Sequence, residues 1–433
     1  MKLGIASPQV IGIVGGGFVG ITLAAHLVQN GDVKVVLFER DTKKTELFRQ
    51  GKYQVFEPEL DAVLDKARIE NRLQFEDESA ENLDLVFICV GTPKGVSQAK
   101  QLAVFTSVVK NLENRIRENG LIFLRSTVSL GTTDLLGKEI SSSTRSDLSL
   151  FFAPERTAEG NAMHELRTLP QVLGCALGSI GDGSSALKAL GFTTIETSSA
   201  KAAELVKLTC NTWRDTIFAF ANEIAMIADQ EGVDSREVIT SANLNYVRGG
   251  IPKPGPVGGP CLSKDSHILI SNLRNHSNSM ILAGRNLNES ITKKLAAYII
   301  LESRSNEKYL VQFLGAAFKG KPFTNDVREG LADQLISLLT GAAGSNLHYR
   351  ITDKTLERED LLGLEQYWTR VDFFENPNMV IIGHDGESLF DPETVNYLQN
   401  LANNVSIIDL WGSVSSIQNI KAQILTFGSG NFL

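Results

Sequence analysis

The loop Lys253-Pro254-Gly255-Pro256-Val257-Gly258-Gly259-Pro260-Cys261-Leu262-Ser263-Lys264-Asp265 sets a thiol, an amine and a carboxylate close together behind a run of prolines and glycines. Proline and glycine fix an irregular backbone and admit a ligand at close range. A thiol is a useful nucleophile only as the thiolate, and a neighbouring cation together with a helix start lowers its pKa. Lys264 and a helical run from Asp265 to Leu273 supply both on this reading. Cys261 is thus a candidate covalent nucleophile, the alternative being a small buried hydrophobe in a turn. Lys207 and Asn211, four apart on a helical stretch, stack an amine and an amide on one face. Such a pair either holds and deprotonates an alcohol or is simply solvated. Glu155 and Glu159, in Pro154-Glu155-Arg156-Thr157-Ala158-Glu159-Gly160, either orient or deprotonate a water or are surface acids.

These groups need a frame. Val10 to Val14 reads as a buried parallel strand running into Gly15-Gly16-Gly17-Phe18-Val19-Gly20 and an apolar-periodic helix to about Asn30. In this G-x-G-x-x-G, Gly15 turns the chain, Gly17 lets the backbone reach a pyrophosphate and Gly20 lets helix and strand pack. A second strand, Val33 to Phe38, ends at Glu39, about 20 residues on, where an acid accepts hydrogen bonds from a ribose diol and repels a 2′-phosphate. NAD is favoured over NADP; FAD or a bare structural turn competes with the glycine motif alone. Leu73 to Phe75, Leu85 to Val90, Leu121 to Leu124 and Leu150 to Ala153 continue as strands of a doubly wound sheet, with Pro170 to Ala176 and Thr193 to Glu196 as its last members. Their carboxyl ends carry Gly91-Thr92-Pro93, Ser126-Thr127-Val128 and the Glu155–Glu159 loop; for Ser126, helix capping would suffice.

From Ser199 to near Gly232 the pattern is one long helix, apolar on more than one side, as expected of a helix packed between domains and against a second subunit. Asp234-Ser235-Arg236-Glu237 reads as a capping box, and a second long helix is expected from Ser279 to Glu302. A third unit opens with the strand Tyr309 to Gly315, followed by a loop with Lys319, Lys321 and Arg328 and a helix to Gly341. Met379 to Ile382 and Val405 to Ile408 add strands. The three cations either form a phosphate cluster or are ordinary surface charges. No internal repeat is evident.

The expected fold is therefore α/β, with a Rossmann-like domain in 1–198, a central helical domain in 199–304 and a smaller α/β domain in 305–433. At 433 residues, 42% hydrophobic and 21% charged, the chain suits several packed domains. A net charge of -8 argues against nucleic acid. Cys89, Cys175, Cys210 and Cys261 form no CxxC pair, so neither metal site nor disulfide framework is expected and a reducing cytoplasm fits. Neither a leader pattern in Met1 to Ser7 nor a membrane-length apolar run is read.

Taken in order, GGGFVG with Glu39, Phe56-Glu57-Pro58-Glu59-Leu60, Val90-Gly91-Thr92-Pro93, Ser126-Thr127-Val128, PERTAEG, ELVKLTCNTWRD at Glu204 to Asp215, GGPCLSKD, and AFKGKPFTNDVRE at Ala317 to Glu329 resemble the UDP-glucose/GDP-mannose dehydrogenases. The resemblance runs from Val10 to about Gly412. It implies NAD-dependent, four-electron oxidation of a nucleotide sugar at C6, for surface polysaccharide synthesis, through a thiohemiacetal and a thioester on Cys261. Lys207 and Asn211 would bind the C6 oxygen, Glu159 would assist proton transfer, Thr127 and Asp265 would order the water and Glu155 would support the site. By the same resemblance NAD is held by Gly15, Gly17, Phe18, Val19, Gly20, Glu39, Arg40, Thr92, Thr127 and Lys264. The substrate meets Glu155, Arg156, Lys207, Asn211, Gly258, Phe318 and Lys319, and Arg248 matches an arginine that reaches the sugar of the neighbouring subunit. A homodimer or higher oligomer through the central helix is implied. PERTAEG in place of the frequent PEFLREG resembles the bacterial UDP-N-acetylhexosamine branch, of N-acetylmannosamine type. Pro260 replaces a serine, tyrosine or histidine, and Trp411 replaces an arginine that touches the nucleotide in many members.

Three alternatives stand beside this expectation. UDP-glucose 6-dehydrogenase is one. A β-hydroxyacid or 6-phosphogluconate-type dehydrogenase, which needs no thiol and stops after one hydride, is another. A noncatalytic NAD-binding regulator is the third.

Overall fold

The computed structural model describes residues 9–75, 82–342, 346–430 and 432. The chain divides into two compact units with the boundary between Cys210 and Asn211, inside the 32-residue helix Ala200–Glu231.

In the amino-terminal unit the described residues form one sheet from β1 (Val10–Val14), β2 (Lys34–Phe38), β3 (Leu73–Phe75), β4 (Leu83–Ile88), β5 (Ile116–Leu124), β6 (Ser149–Phe152), β7 (Gln171–Leu177) and β8 (Thr194–Glu196). Their order is β3-β2-β1-β4-β5-β6-β7-β8. Pairing is parallel except between β6 and β7, which run antiparallel. Both faces are covered by helices, so the central strands read as continuous apolar runs; β4 is buried throughout. In register across β4, β5 and β6, Phe87, Phe123 and Phe151 stack with ring centroids 5.1 Å apart at each step. The one acid in β4, Asp84, accepts the Gln9 and Val10 amides at 2.6 and 2.9 Å and pairs with Arg117 at 2.6 Å. The strand order turns back between β1 and β4, which opens the ligand crevice of such sheets at their carboxyl ends.

In the carboxyl-terminal unit, β9 (Tyr309–Leu314), β10 (Leu347–Thr352), β11 (Trp368–Thr369), β12 (Met379–Ile382), β13 (Ser406–Asp409) and β14 (Gln423–Thr426) form a second sheet. Its order is β11-β10-β9-β12-β13-β14, parallel throughout. Helices Met280–Ser303 and Leu331–Ala342 pack on it through Ile299, Leu335 and Leu339, against Val311 and Phe313. Asp234 caps helix Ser235–Asn243 through the Arg236 amide, a one-sided cap in place of the expected capping box with Glu237.

Candidate active site

The glycine turn after β1 is built for close packing. A Cβ on Gly20 would stand 1.9 Å from the Gly15 carbonyl oxygen, so any side chain there would push helix Phe18–Asn30 off the strand. Gly17 is that helix's N-cap and provides no side-chain cap; nothing lies within 4 Å of a Cβ placed on Gly17 or on Gly91. Phe18 and Val19 are half-buried beside the turn. At the end of β2, Glu39 Oε2 accepts the Gly16 amide at 2.8 Å and Oε1 the Asp41 amide at 3.0 Å. Each carboxylate oxygen keeps a further lone pair, and the side chain is half-exposed. Arg40 beside it is exposed. An uncapped helix N-terminus, open space above two glycines and a half-exposed acid fit a dinucleotide with a free ribose diol. The Thr92 hydroxyl donates to the Thr127 carbonyl at 2.8 Å, tying the loop after β4 to the loop after β5. Ser126 does the same from its side, donating to the Val90 carbonyl at 2.7 Å rather than capping a helix.

The two acids of the loop after β6 differ. Glu155 is buried, and its carboxylate accepts from Arg125 Nη2 at 2.5 Å and from the Arg156 and Thr157 amides at 2.7 and 2.9 Å. Burial pushes its pKa up, but the Arg125 guanidinium and the Thr157 amide more than offset that and hold it below the ordinary carboxylate range. Arg125 also donates to Gln171 Oε1 at 2.7 Å, and Gln171 returns a bond to the Pro154 carbonyl at 2.8 Å. Glu155 is therefore a brace for the loop. Glu159, half-buried further along, sits where Glu57 holds the backbone by accepting the Gly160 and Ala162 amides. Arg156 turns its guanidinium to the Pro170 carbonyl. Lys207 is buried on the long helix and adds to the positive surroundings of Glu155.

In the carboxyl-terminal unit Cys261 is exposed and occupies the N-cap of helix Leu262–Ile270, which starts three residues earlier than the sequence suggested. Its thiol thus stands at the positive end of a helix dipole. One turn on, Asp265 is fully buried; its amide donates to the Cys261 carbonyl at 2.9 Å and its Oδ2 accepts Asn211 Nδ2 at 2.6 Å. Lys264 Nζ lies 3.9 Å from Asp265 Oδ1. Gly259, with φ of +86°, packs under Phe318, where a Cβ would come within 2.9 Å of the ring, and Gly258 lies beneath the Glu329 carbonyl. Lys319 Nζ stands 5.5 Å from the Phe318 ring centroid. Of the other cations in that loop, Lys321 pairs with Glu387 at 2.7 Å and Arg328 with Asp326 at 2.5 Å, so the three do not form one positive cluster. Arg248, in an exposed loop, donates to the Tyr246 hydroxyl at 3.0 Å and stacks on its ring. Trp411, half-buried, covers Gly255.

Several supporting residues escaped the sequence reading. Arg125 follows the apolar Leu121 to Leu124, and an arginine at the end of a buried strand demands an acid partner. Glu204 accepts the Gly131 and Thr133 amides at 2.5 and 2.9 Å, capping helix Thr132–Ser141 from another helix. No local spacing reveals that.

The amino-terminal unit carries the crevice of a dinucleotide-dependent dehydrogenase, and the carboxyl-terminal unit carries a helix-capping thiol with an acid–amide pair one turn on. Residues 9–210 match the NAD binding domain of the UDP-glucose/GDP-mannose dehydrogenase family, and residues 201–290 match its central domain. The UDP-N-acetyl-D-mannosamine dehydrogenase of Methanococcus aeolicus is 31% identical over 340 residues, spanning 76% of this chain and 75% of the relative. The NDP-N-acetyl-D-galactosaminuronic acid dehydrogenase of Ralstonia nicotianae is 26% identical over 384 residues, 84% of this chain and 89% of the relative. Among solved structures, the UDP-D-ManNAc dehydrogenase of Pyrococcus horikoshii shares the fold with a TM-score of 0.81 at 24% identity, over 98% of this chain and 100% of that one.

The chain belongs to the UDP-glucose/GDP-mannose dehydrogenase family, the NAD-dependent nucleotide-sugar dehydrogenases. This sets aside the β-hydroxyacid and 6-phosphogluconate types, and FAD with them. No helix among the described residues is long and apolar enough to cross a membrane.

Proposed function

We propose that the protein oxidises the C6 alcohol of a UDP-N-acetylhexosamine, UDP-N-acetylmannosamine first among them, to the uronic acid through a covalent adduct on Cys261. The observation that carries this is Cys261 at a helix N-cap, one turn before an Asp265 carboxylate bonded to Asn211. The names of the relatives and the PERTAEG loop support the sugar.

NAD, when bound, supplies the hydride acceptor, a fresh NAD for each of the two oxidations; its fit rests on the Gly15–Gly20 turn, Glu39 and Thr92. Lys207 and Asn211 hold the C6 oxygen and stabilise its negative charge while its proton leaves with the help of Glu159 and a C6 hydrogen leaves as hydride, giving the aldehyde. The Cys261 thiolate then adds to the aldehyde carbon, and the former carbonyl oxygen takes a proton, giving a thiohemiacetal. Loss of the remaining C6 hydrogen as hydride and of the hydroxyl proton leaves a thioester. Thr127 and Asp265 order a water that attacks this thioester, Glu159 takes its proton, the C–S bond breaks and the acid departs from a restored thiolate. Glu155 acts only by bracing the loop of Glu159. Lys319 and the loop around it hold the nucleotide diphosphate, and Arg156, Gly258 and Phe318 also meet the substrate.

We assign 1–198 to NAD, 199–304 to catalysis and assembly, and 305–433 to the nucleotide sugar. Trp213, Phe220 and Ile227 recur every seventh residue on the long helix and are 62%, 50% and 50% exposed. A stripe of that size unmatched by the chain's own core supports a homodimer through this helix, with Arg248 serving the neighbouring subunit's sugar. Light scattering decides it. A thiolate nucleophile suits a reducing compartment, and the cytoplasm is our assignment.

A panel of UDP- and GDP-sugars with NAD, followed by NADH absorbance, tests the reaction. About two NADH per sugar are expected with the right substrate. A reproducible ratio of one, or full activity in Cys261→Ala, removes the covalent mechanism.

A further inference from the structure

A buried polar circuit holds both ends of the segment that carries Cys261. At its start the Asn222 carboxamide brackets one residue: Oδ1 accepts the Gly255 amide at 2.7 Å and Nδ2 donates to the Gly255 carbonyl at 3.0 Å. The other Nδ2 proton goes to Asn288 Oδ1 at 2.9 Å. Asn288 Nδ2 in turn lies 2.8 Å from Asp215 Oδ1 and 2.9 Å from the Asp215 carbonyl. Asp215 Oδ1 also accepts Arg285 Nη1 at 2.8 Å, and its Oδ2 accepts the Ser266 hydroxyl at 2.8 Å. Ser266 stands on helix Leu262–Ile270, next to Asp265 and a little over one turn from Cys261. All five side chains are at most 3% exposed.

None of these five takes part in the chemistry set out above. Burying so many polar groups is costly unless every one is paired, and an apolar set of similar shape would pack the helices as well. Here the two carboxamides, the Asp215 carboxylate and the Ser266 hydroxyl are paired, while Arg285 Nε lies 3.6 Å from Glu289 Oε1, and what such a paired network adds is a unique geometry. Asn222 in particular grips a backbone residue from both its N–H and its C=O, which no apolar side chain can do. Trp411 packs against the same residue, since a Cβ on Gly255 would stand 2.6 Å from its Nε1.

We propose that Asn222, acting with Asn288, Asp215 and Ser266, is a positioning residue for Cys261: it fixes the 255–266 segment so that the thiol meets the aldehyde. This rests on the covalent reading above. The step that needs sulfur is then more sensitive to Asn222 than the step that does not. With the segment loosened, the C–S bond fails to form, the aldehyde departs, and about one NAD instead of about two is reduced per sugar.

Asn222→Asp keeps the shape and one acceptor but turns a second carboxylate oxygen on the Gly255 carbonyl and Asn288 Oδ1. The expected outcome is a fall in NADH per sugar from about two toward one, with aldehyde accumulating as its hydrazone in the presence of a hydrazine trap. Acid formation slows by about 100-fold, the scale of an ångström of misplacement, while the KM for NAD changes less than about twofold. A residue that merely stabilises the fold lowers Tm and total activity but leaves the ratio at two. A ratio that stays at two in this variant therefore overturns the proposal. Wild type assayed alongside separates the readings, because a wild-type ratio of one defeats the covalent mechanism itself. If Asn222→Asp shows no cooperative thermal transition, Ser266→Ala, which deletes a single hydroxyl at the other end of the circuit, is read by the same ratio. A value below two supports the assignment and a value of two refutes it.

Discussion

The two sheets of this protein are built on one plan and use it differently. In each, the strand order turns back beside the first strand, between β1 and β4 or between β9 and β12. In each, the residue after the second strand is an acid that accepts an amide from the turn after the first: Glu39 from Gly16 at 2.8 Å, Asp353 from Ala316 at 3.0 Å. The turns begin alike, with Gly15 donating to the Phe38 carbonyl and Gly315 to the Thr352 carbonyl. After that they part. Helix Phe18–Asn30 starts at once in the amino-terminal unit, whereas no helix follows β9 until Leu331, and the intervening loop carries Phe318 and Lys319. Glu39 is half-exposed and has lone pairs to spare; Asp353 is 1% exposed and also accepts the Thr355 amide and hydroxyl at 2.9 and 2.5 Å. An acid at the same place is left open to solvent in one unit and closed into the fold in the other.

The largest effect expected from this contrast is at Asp353. Burial pushes its pKa up, but the His384 ring and the Thr355 donors hold it below the usual range. Asp353→Ala strands buried donors and should cost about 3 to 5 kcal/mol of unfolding free energy in urea. A loss under about 1 kcal/mol would mean the carboxylate is not the keystone of its turn.

The buried histidines sharpen the comparison next. Neither has a hydrogen-bond partner at Nε2 among the described residues, but His384 Nε2 stands 3.9 Å from Asp353 Oδ2, whereas His26 is stacked on Phe192. Burial, with Arg125 nearby, lowers the His26 pKa from 6.5 to about 4. Its folded value lies below its unfolded one, so the unfolded chain binds the extra proton and stability falls as the pH drops through that interval. The loss is about 3 kcal/mol between pH 6.5 and 4. His26→Gln should flatten denaturation curves across that window, and an unchanged slope assigns it to other groups.

At Glu39 the effect is smaller and falls on the ligand. Glu39→Ala should weaken NAD about tenfold, or about 1.4 kcal/mol, by titration, narrow the preference over NADP and leave the sugar's KM unchanged. The smallest difference is within one loop: Lys319→Ala should raise the KM for the nucleotide sugar, while Lys321→Ala, whose charge is already met by Glu387 at the surface, should not.

Much of the frame was legible because the strands are apolar runs between turn residues: Val10 to Val14, Leu73 to Phe75 and Met379 to Ile382 coincide with β1, β3 and β12. The β10 strand, Leu347–Thr352, was missed because His348, Tyr349 and Arg350 break its apolar pattern. The reversed pairing of β6 with β7 leaves no mark in either strand's composition. Cys261, Lys207 and the glycine turn stand out as candidates by residue type and spacing; Arg125, Asp215 and Asn222 do not, since their partners lie tens of residues away and only folding pairs them. The repeated plan leaves a trace in the sequence. Gly15-Gly16-Gly17-Phe18-Val19-Gly20 and Gly315-Ala316-Ala317-Phe318-Lys319-Gly320 share a glycine at each end and a phenylalanine at the same place.

Glu204, the carboxylate that caps helix Thr132–Ser141 from the long helix, bears on how the chain can be cut. A fragment ending at residue 198 keeps every strand of the first sheet, yet leaves the Gly131 and Thr133 amides and the Thr133 hydroxyl without their acceptor. One ending at 210 retains it, and should express and bind dinucleotide where the shorter piece frays.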